Sequence, residues 1–144
     1  MGHWSRRTGV QYASMRLMAD LVLGELVRTY LQRVVNERDL TAFDDMVSAD
    51  YLGSGPGWPG DRDGLRAFYQ SQATLRPDWH IDVRETVEVG EWVAVRAHAG
   101  GTVAHDELGA GLQTPFLKAI DWLAVYRVVN GRIVETRLLS AIEG

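Results

Sequence analysis

Asn130-Gly131 stands between two runs rich in β-branched and aromatic residues, 117–128 and 132–139. Both central positions of a two-residue hairpin turn need a positive φ, which Asn and Gly tolerate best, so this dipeptide commits the C-terminal part of the chain to an antiparallel hairpin. At period two, Trp122, Ala124, Tyr126 and Val128 share one face of the first strand, while Asp121, Leu123, Val125 and Arg127 share the other. Both faces are largely apolar. One must be covered by helices, and the other, through Leu123 and Val125, suggests a homodimer joined through the sheet.

The preceding chain supplies the cover. Residues 15–36 set Leu17, Met18, Leu21, Val22, Leu26, Tyr30, Leu31 and Val34 at helical spacing, with Gly24 a weak point. Residues 39–47 repeat the pattern through Leu40, Phe43, Met46 and Val47, with Asp39, Asp44 and Asp45 at the start or on the wet side. Asp50-Tyr51-Leu52 then leads into Gly53-Ser54-Gly55-Pro56-Gly57-Trp58-Pro59-Gly60, which no regular element survives. That loop reads equally as a pocket rim built on Trp58 or as a plain connection. It is no phosphate cradle, because the Lys-Ser/Thr ending is missing.

Residues 61–74 form a third helix with Leu65, Phe68, Tyr69 and Gln72 on one side, ended by Pro77. Residues 80–89 alternate, with Ile81, Val83, Val87 and Val89 against Asp82, Arg84, Thr86 and Glu88, and Glu85 breaks the set. After the turn at Gly90-Glu91, residues 92–103 set Val93, Val95, Ala97 and Ala99 opposite Ala94, Arg96, His98 and Gly100. A loop through Asp106, Gly109, Gly111 and Pro115 reaches the Asn-Gly hairpin. The order predicts an α+β fold: three N-terminal helices packed on one face of a curved antiparallel sheet, a four-stranded meander that makes a cone-shaped barrel.

Composition narrows the function. At 144 residues the chain is one domain, read as 15–144, with 1–14 a flexible arm and Met15 an alternative start. Arg6 and Arg7 precede no uninterrupted apolar core, so a secretory signal is not expected. The absence of cysteine excludes a disulfide framework and a thiolate metal site and fits a cytoplasmic protein. A net charge of −4 with scattered basic residues argues against nucleic acid as a partner. No apolar run reaches the roughly 18 residues that a membrane span needs.

Few side chains suit proton transfer. His98 lies opposite its strand's apolar set and reads as dimer-facing or solvated rather than as a pocket base. His105-Asp106-Glu107 cannot converge on one ion from adjacent loop positions, so no metal site is expected there. His80, beside Asp78 and Trp79, is a strand start. Tyr30, Tyr51, Tyr69 and Tyr126 are amphipathic core residues, any of which could offer an O–H to a substrate carbonyl. No Ser-His-Asp or Cys-His arrangement stands out.

Asn36-Glu37-Arg38-Asp39-Leu40, Ser48-Ala49-Asp50-Tyr51, Gly60-Asp61-Arg62-Asp63-Gly64-Leu65-Arg66-Ala67-Phe68-Tyr69, Trp92-Val93-Ala94-Val95-Arg96 and Tyr126-Arg127-Val128-Val129-Asn130-Gly131-Arg132-Ile133-Val134-Glu135 together resemble the successive signposts of the SnoaL-like polyketide cyclases. That family belongs to the nuclear-transport-factor-2-like cone fold, with ketosteroid isomerase and limonene-epoxide hydrolase. The resemblance runs over about 17–139 and implies a pocket between sheet and helices, usually in a homodimer. It also implies acid–base positions, and this chain fills them with other residues. Leu138 matches the Asp of the aldol cyclases, Ala124 their His, Trp122 its polar neighbour and Gly53 an Asn. The acids of ketosteroid isomerase fall near Gly53 and Ala124, and limonene-epoxide hydrolases keep an Asp at the Leu138 position.

The expected lining is therefore apolar: Trp58, Leu65, Phe68, Val95, Ala97, Trp122, Ala124, Tyr126 and Leu138. Such a pocket suits a hydrophobic, polyketide-like small molecule and implies a cofactor-independent cyclase that folds its substrate for ring closure, by a cycloaddition among other routes. Tyr51 or Tyr69 would polarise one carbonyl. Two alternatives stay open. A one-residue slip of strand register would turn Asp121 inward as a general base for aldol or epoxide chemistry, at the cost of turning Trp122 and Tyr126 out. The other alternative is a non-catalytic small-molecule binder on the same fold.

Overall fold

The computed structural model describes residues 23–103 and 116–143. The arm at 1–14, the start of the first helix and the His105-Asp106-Glu107 loop lie outside the described residues. Residues 23–30 are α-helical and run on into a π-helical stretch, Leu31–Asn36, the two together forming α1. Helix α2 spans Leu40–Met46 and α3 spans Arg62–Leu75. Each has an aspartate as its N-cap: Asp39 accepts from the Ala42 amide at 3.1 Å and Asp61 from the Gly64 amide at 2.7 Å.

The strands are β1 (Val47–Ser54), β2 (His80–Val89), β3 (Trp92–Val103), β4 (Phe116–Val129) and β5 (Arg132–Glu143). They form one open mixed sheet in the order β1-β5-β4-β3-β2. Asn130 and Gly131 have φ of 53° and 73°, as the hairpin turn between β4 and β5 requires. Local pattern leads Asp50-Tyr51-Leu52 straight into a loop and predicts four strands. The fifth, β1, lies parallel to β5, with Val47 opposite Ile133 and Gly53 opposite Thr136. Only Val47 and Tyr51 are buried in β1, so it shows no alternation. Its pairing is with residues far along the chain, where no local pattern can signal it.

The faces of β4 are those expected: Trp122, Ala124, Tyr126 and Val128 are buried and Asp121 and Leu123 exposed. The expected faces of β2 hold only in its first half. A bulge between Val83 and Glu85 leaves Arg84 without a partner on β3, and one extra residue reverses every side chain after it. Val87 and Val89 consequently point outward, 53% and 71% exposed, while Thr86 and Glu88 are half-buried. Glu85, which interrupts the alternation in the sequence, accepts from Arg96 Nε at 2.8 Å across the strands. Two more irregularities, opposite Leu123/Ala124 and Arg127/Val128, bend β5 and curve the sheet.

The helices fill the concave side. Val27, Tyr30, Leu31 and Val34 of α1, Phe43 of α2, and Leu65 and Tyr69 of α3 form one core with Val93, Val95, Ala97, Ala124, Tyr126 and Ile133 of the sheet. Asn36 clips the end of α1 to β2: its amide nitrogen donates to the Ile81 carbonyl at 2.9 Å and its oxygen accepts from the Ile81 amide at 2.7 Å. Among the described residues no helix is long and apolar enough to cross a membrane.

Candidate active site

A cavity of about 230 Å³ lies between the helices and the concave face of the sheet. Leu31, Val34 and Val35 of α1 form one wall and Ile81, Ala99, Ile120, Trp122, Leu138 and Ala141 of the sheet form another. The wider π-helical winding of α1 lies where it borders the cavity. On β5, the irregularity between Leu123 and Ala124 lets Leu138 and Ala141, an odd number of residues apart, both border the same space. The third side comes from Phe68, Tyr69 and Gln72 of α3 and from the Pro56-Gly57-Trp58 segment after β1.

Trp58 is held from several directions. Its indole Nε1 donates to the Tyr51 hydroxyl at 2.9 Å, and its ring stacks at 5.4 Å from Phe68 and 6.4 Å from Trp122. The loop reaches this position because Gly53, on β1, carries no side chain: a Cβ there would collide with the Pro59 carbonyl. The Gly53 amide instead donates to the Gly60 carbonyl at 3.0 Å, closing the base of the loop.

Tyr69 is the one tyrosine bordering the cavity among the described residues. The buried Tyr30 hydroxyl donates to the Tyr69 hydroxyl across 3.3 Å, and the two rings meet edge to face. With its oxygen accepting from Tyr30, Tyr69 keeps its own proton for another acceptor. Burial pushes the Tyr69 phenol well above the usual tyrosine range, against the opposing effect of the Tyr30 hydrogen bond. Burial does the same to Tyr30 and Tyr126, with the neighbouring Tyr69 adding to both. These groups are neutral donors at ordinary pH and do not serve as bases.

The opposite end of the cavity is polar. Arg38, Gln72 and Arg76 border it beside Trp79, and all four are half-buried. Arg76 Nη1 donates to Gln72 Oε1 at 3.2 Å and its guanidinium lies over the Trp79 ring at 5.3 Å. The segment carrying Trp79 packs directly on the sheet at Gly101, where a Cβ would come within 2.8 Å of the Trp79 Cα.

Of the residues expected from the sequence, Trp58, Phe68, Tyr69, Trp122 and Leu138 come together around this cavity. Leu65, Val95, Ala97, Ala124 and Tyr126 are buried in the core and do not border it. Tyr51 is buried behind Trp58, and burial pushes its phenol up despite the hydrogen bond from the Trp58 indole. Asp121 projects from the outer face with its side chain 76% exposed, 3.4 Å from His98 Nδ1. Its carboxylate has no line to the cavity. Arg38, Arg76 and Trp79 carry no local signal of a site in the sequence, although Gln72 follows Tyr69 on the same face of α3 and Arg76 caps that helix. No group of three metal-binding side chains occurs among the described residues.

The model of the SnoaL-like domain matches residues 27–136. No curated protein matches the chain. Among solved structures, the chain is similar to IdmH of Streptomyces antibioticus, a candidate polyketide cyclase, at 26% identity and a TM-score of 0.69, over 81% of this chain and 90% of that one. AclR of Streptomyces galilaeus, a candidate hydroxylase, has 18% identity and a TM-score of 0.69 over 83% and 79% of the two chains. A candidate polyketide cyclase of Acidithiobacillus ferrooxidans has 18% identity and a TM-score of 0.68 over 82% and 87%. The last two likenesses are of fold alone, and a fold does not fix a chemistry.

Proposed function

Because the chain belongs to the family of SnoaL-like domains, we propose that it is a cyclase of polyketide or related natural-product biosynthesis that needs no cofactor. It binds a hydrophobic substrate in the cavity described above and folds it for ring closure, a cycloaddition being the step best suited to such a site. The observation that carries this reading is Tyr69: a neutral, buried O–H donor whose oxygen is already occupied by Tyr30, at the edge of an otherwise apolar space. A hydrogen bond from Tyr69 to a carbonyl conjugated with the reacting polyene lowers the energy of its acceptor orbital. Trp58, Phe68, Trp122 and Leu138 restrict the chain to conformers near the transition state. A site of this kind accelerates a unimolecular step by orientation and one polarising contact, with no proton transferred.

The cavity is smaller than the roughly 300–1,000 Å³ common for drug-sized ligands, so a polyketide of that size leaves part of itself at the half-exposed end. The exposed Val87, Val89 and Leu123 on the outer face of the sheet support the expected homodimer. The deciding experiment is a turnover assay with a linear polyene bearing a conjugated carbonyl, followed by the loss of polyene absorbance. Catalysed loss with formation of a cyclic isomer of equal mass is the expected result. Saturable binding without any turnover would leave a non-catalytic binder in its place.

A further inference from the structure

We propose that the polar end of the cavity is a carboxylate-binding site, so that the substrate is an apolar chain terminating in a free acid. The inference rests on the reading of the cavity as a substrate pocket and adds the chemistry of the substrate's far end. Its basis is the unequal distribution of charge around that space. Two guanidinium groups and one amide, Arg38, Arg76 and Gln72, cluster at one end beside Trp79, while the remainder of the described lining is apolar except for Tyr69.

Arg38 is the more telling of the two. Its backbone is in the left-handed region, φ 57°, which costs a non-glycine residue free energy and persists only where surrounding contacts impose it. Those contacts are three main-chain carbonyls: Nη1 donates to Asn36 at 2.7 Å, and Nη2 donates to Arg76 at 3.1 Å and to Trp79 at 2.9 Å. They hold the guanidinium at the cavity and join the end of α1 to the turn after α3. They use three of its five N–H groups. Nε–H and one Nη1–H remain, and no carboxylate of the described residues pairs with this cation. Fastening the turn explains the three bonds but not why a cation does so at the border of an apolar cavity. A carboxylate on the remaining donors would make charge-assisted hydrogen bonds in a partly desolvated position, where they are strongest.

Helix α3 sets the spacing between the two polar contacts. Tyr69 lies on the cavity side of the helix and Arg76 is its C-cap, about two turns further on. A substrate whose carboxylate meets Arg38 and Arg76 therefore presents to Tyr69 a group well along its chain, not one beside the acid. The acid sits at the half-exposed end and the reacting polyene in the enclosed part, which also fixes the direction of entry.

The test compares cis-parinaric acid, a linear conjugated tetraene acid, with its methyl ester. Binding to the full chain is followed by energy transfer from the tryptophans at the cavity, Trp58, Trp79 and Trp122. The acid should bind about tenfold more tightly than the ester, and raising the salt concentration should weaken the acid alone. In Arg76→Gln the preference should shrink to less than about threefold while ester affinity stays unchanged. Arg38→Lys, which keeps a cation but not the fork, should lose part of it, with circular dichroism confirming that the chain is folded. Equal affinities of acid and ester for the unmodified protein would overturn the carboxylate site and leave the apolar pocket intact. Failure of both probes to bind would overturn the pocket reading as well.

Discussion

The Tyr30 hydroxyl lies 3.3 Å from that of Tyr69 and donates to it, so a fully buried core residue determines which way the proton of a cavity residue can point. Tyr69→Phe should lower kcat about tenfold with little change in KM, the loss expected for one neutral hydrogen bond made mainly in the transition state. Tyr30→Phe should cost less, because Tyr69 keeps its own O–H and loses only the neighbour that donates to its oxygen. Steady-state kinetics on both variants check this. Equal activity of Tyr69→Phe and the unmodified protein would remove the polarising role.

Alkaline stability follows from the same tyrosines. Burial raises the Tyr30, Tyr69 and Tyr126 phenols in the folded chain, whereas they ionise near pH 10 when it is unfolded. Above about pH 10 the unfolded chain therefore holds fewer protons than the folded one. Their contribution to stability is complete below about pH 10 and declines above it, by about 1.4 kcal/mol per pH unit for each phenol until the folded value is passed. Urea unfolding between pH 9 and 12, with tyrosinate absorbance recorded in parallel, tests this. A stability unchanged across that interval would contradict it.

Trp58→Phe keeps an aromatic ring at the cavity but removes the Nε1 donor from the Tyr51 hydroxyl, which is buried. The cost in unfolding free energy should be about 1–2 kcal/mol. Tyr51→Phe in the same background should recover part of it, since the buried hydroxyl that lost its donor is then absent. A double-mutant cycle by chemical denaturation measures the coupling.

Asp121→Asn should leave turnover within about twofold of that of the unmodified protein, as befits a side chain that is 76% exposed on the outer face beside His98. Loss of most activity would instead point to acid–base chemistry and to a site different from the cavity between sheet and helices.

Much of the scaffold is legible in local pattern. The Asn130-Gly131 turn, the bounds of β2 and β3, and the buried face of β4 all follow from turn chemistry and period two. Strand β1 does not, because only two of its residues are buried and its partner is remote in the chain. The outward turn of Val87 and Val89 does not either. Glu85 marks the break in alternation, but a break alone leaves open whether a bulge or a lone exposed charge produced it.

The candidate site shows the same division. Which residues face the helices was decided by the sequence, since alternation assigns Trp122, Ala124 and Tyr126 to one side whatever packs there. Which of them meets open space was decided by tertiary structure: Trp122 borders the cavity, while Ala124 and Tyr126 lie in the packed core. Arg38, Gln72 and Arg76 converge only because a left-handed residue after α1 is fastened to the turn after α3, through carbonyls distant in sequence. Periodicity reports burial, a property of one element and its face. A cavity is the space that several elements leave unfilled, and it exists only once their packing is complete.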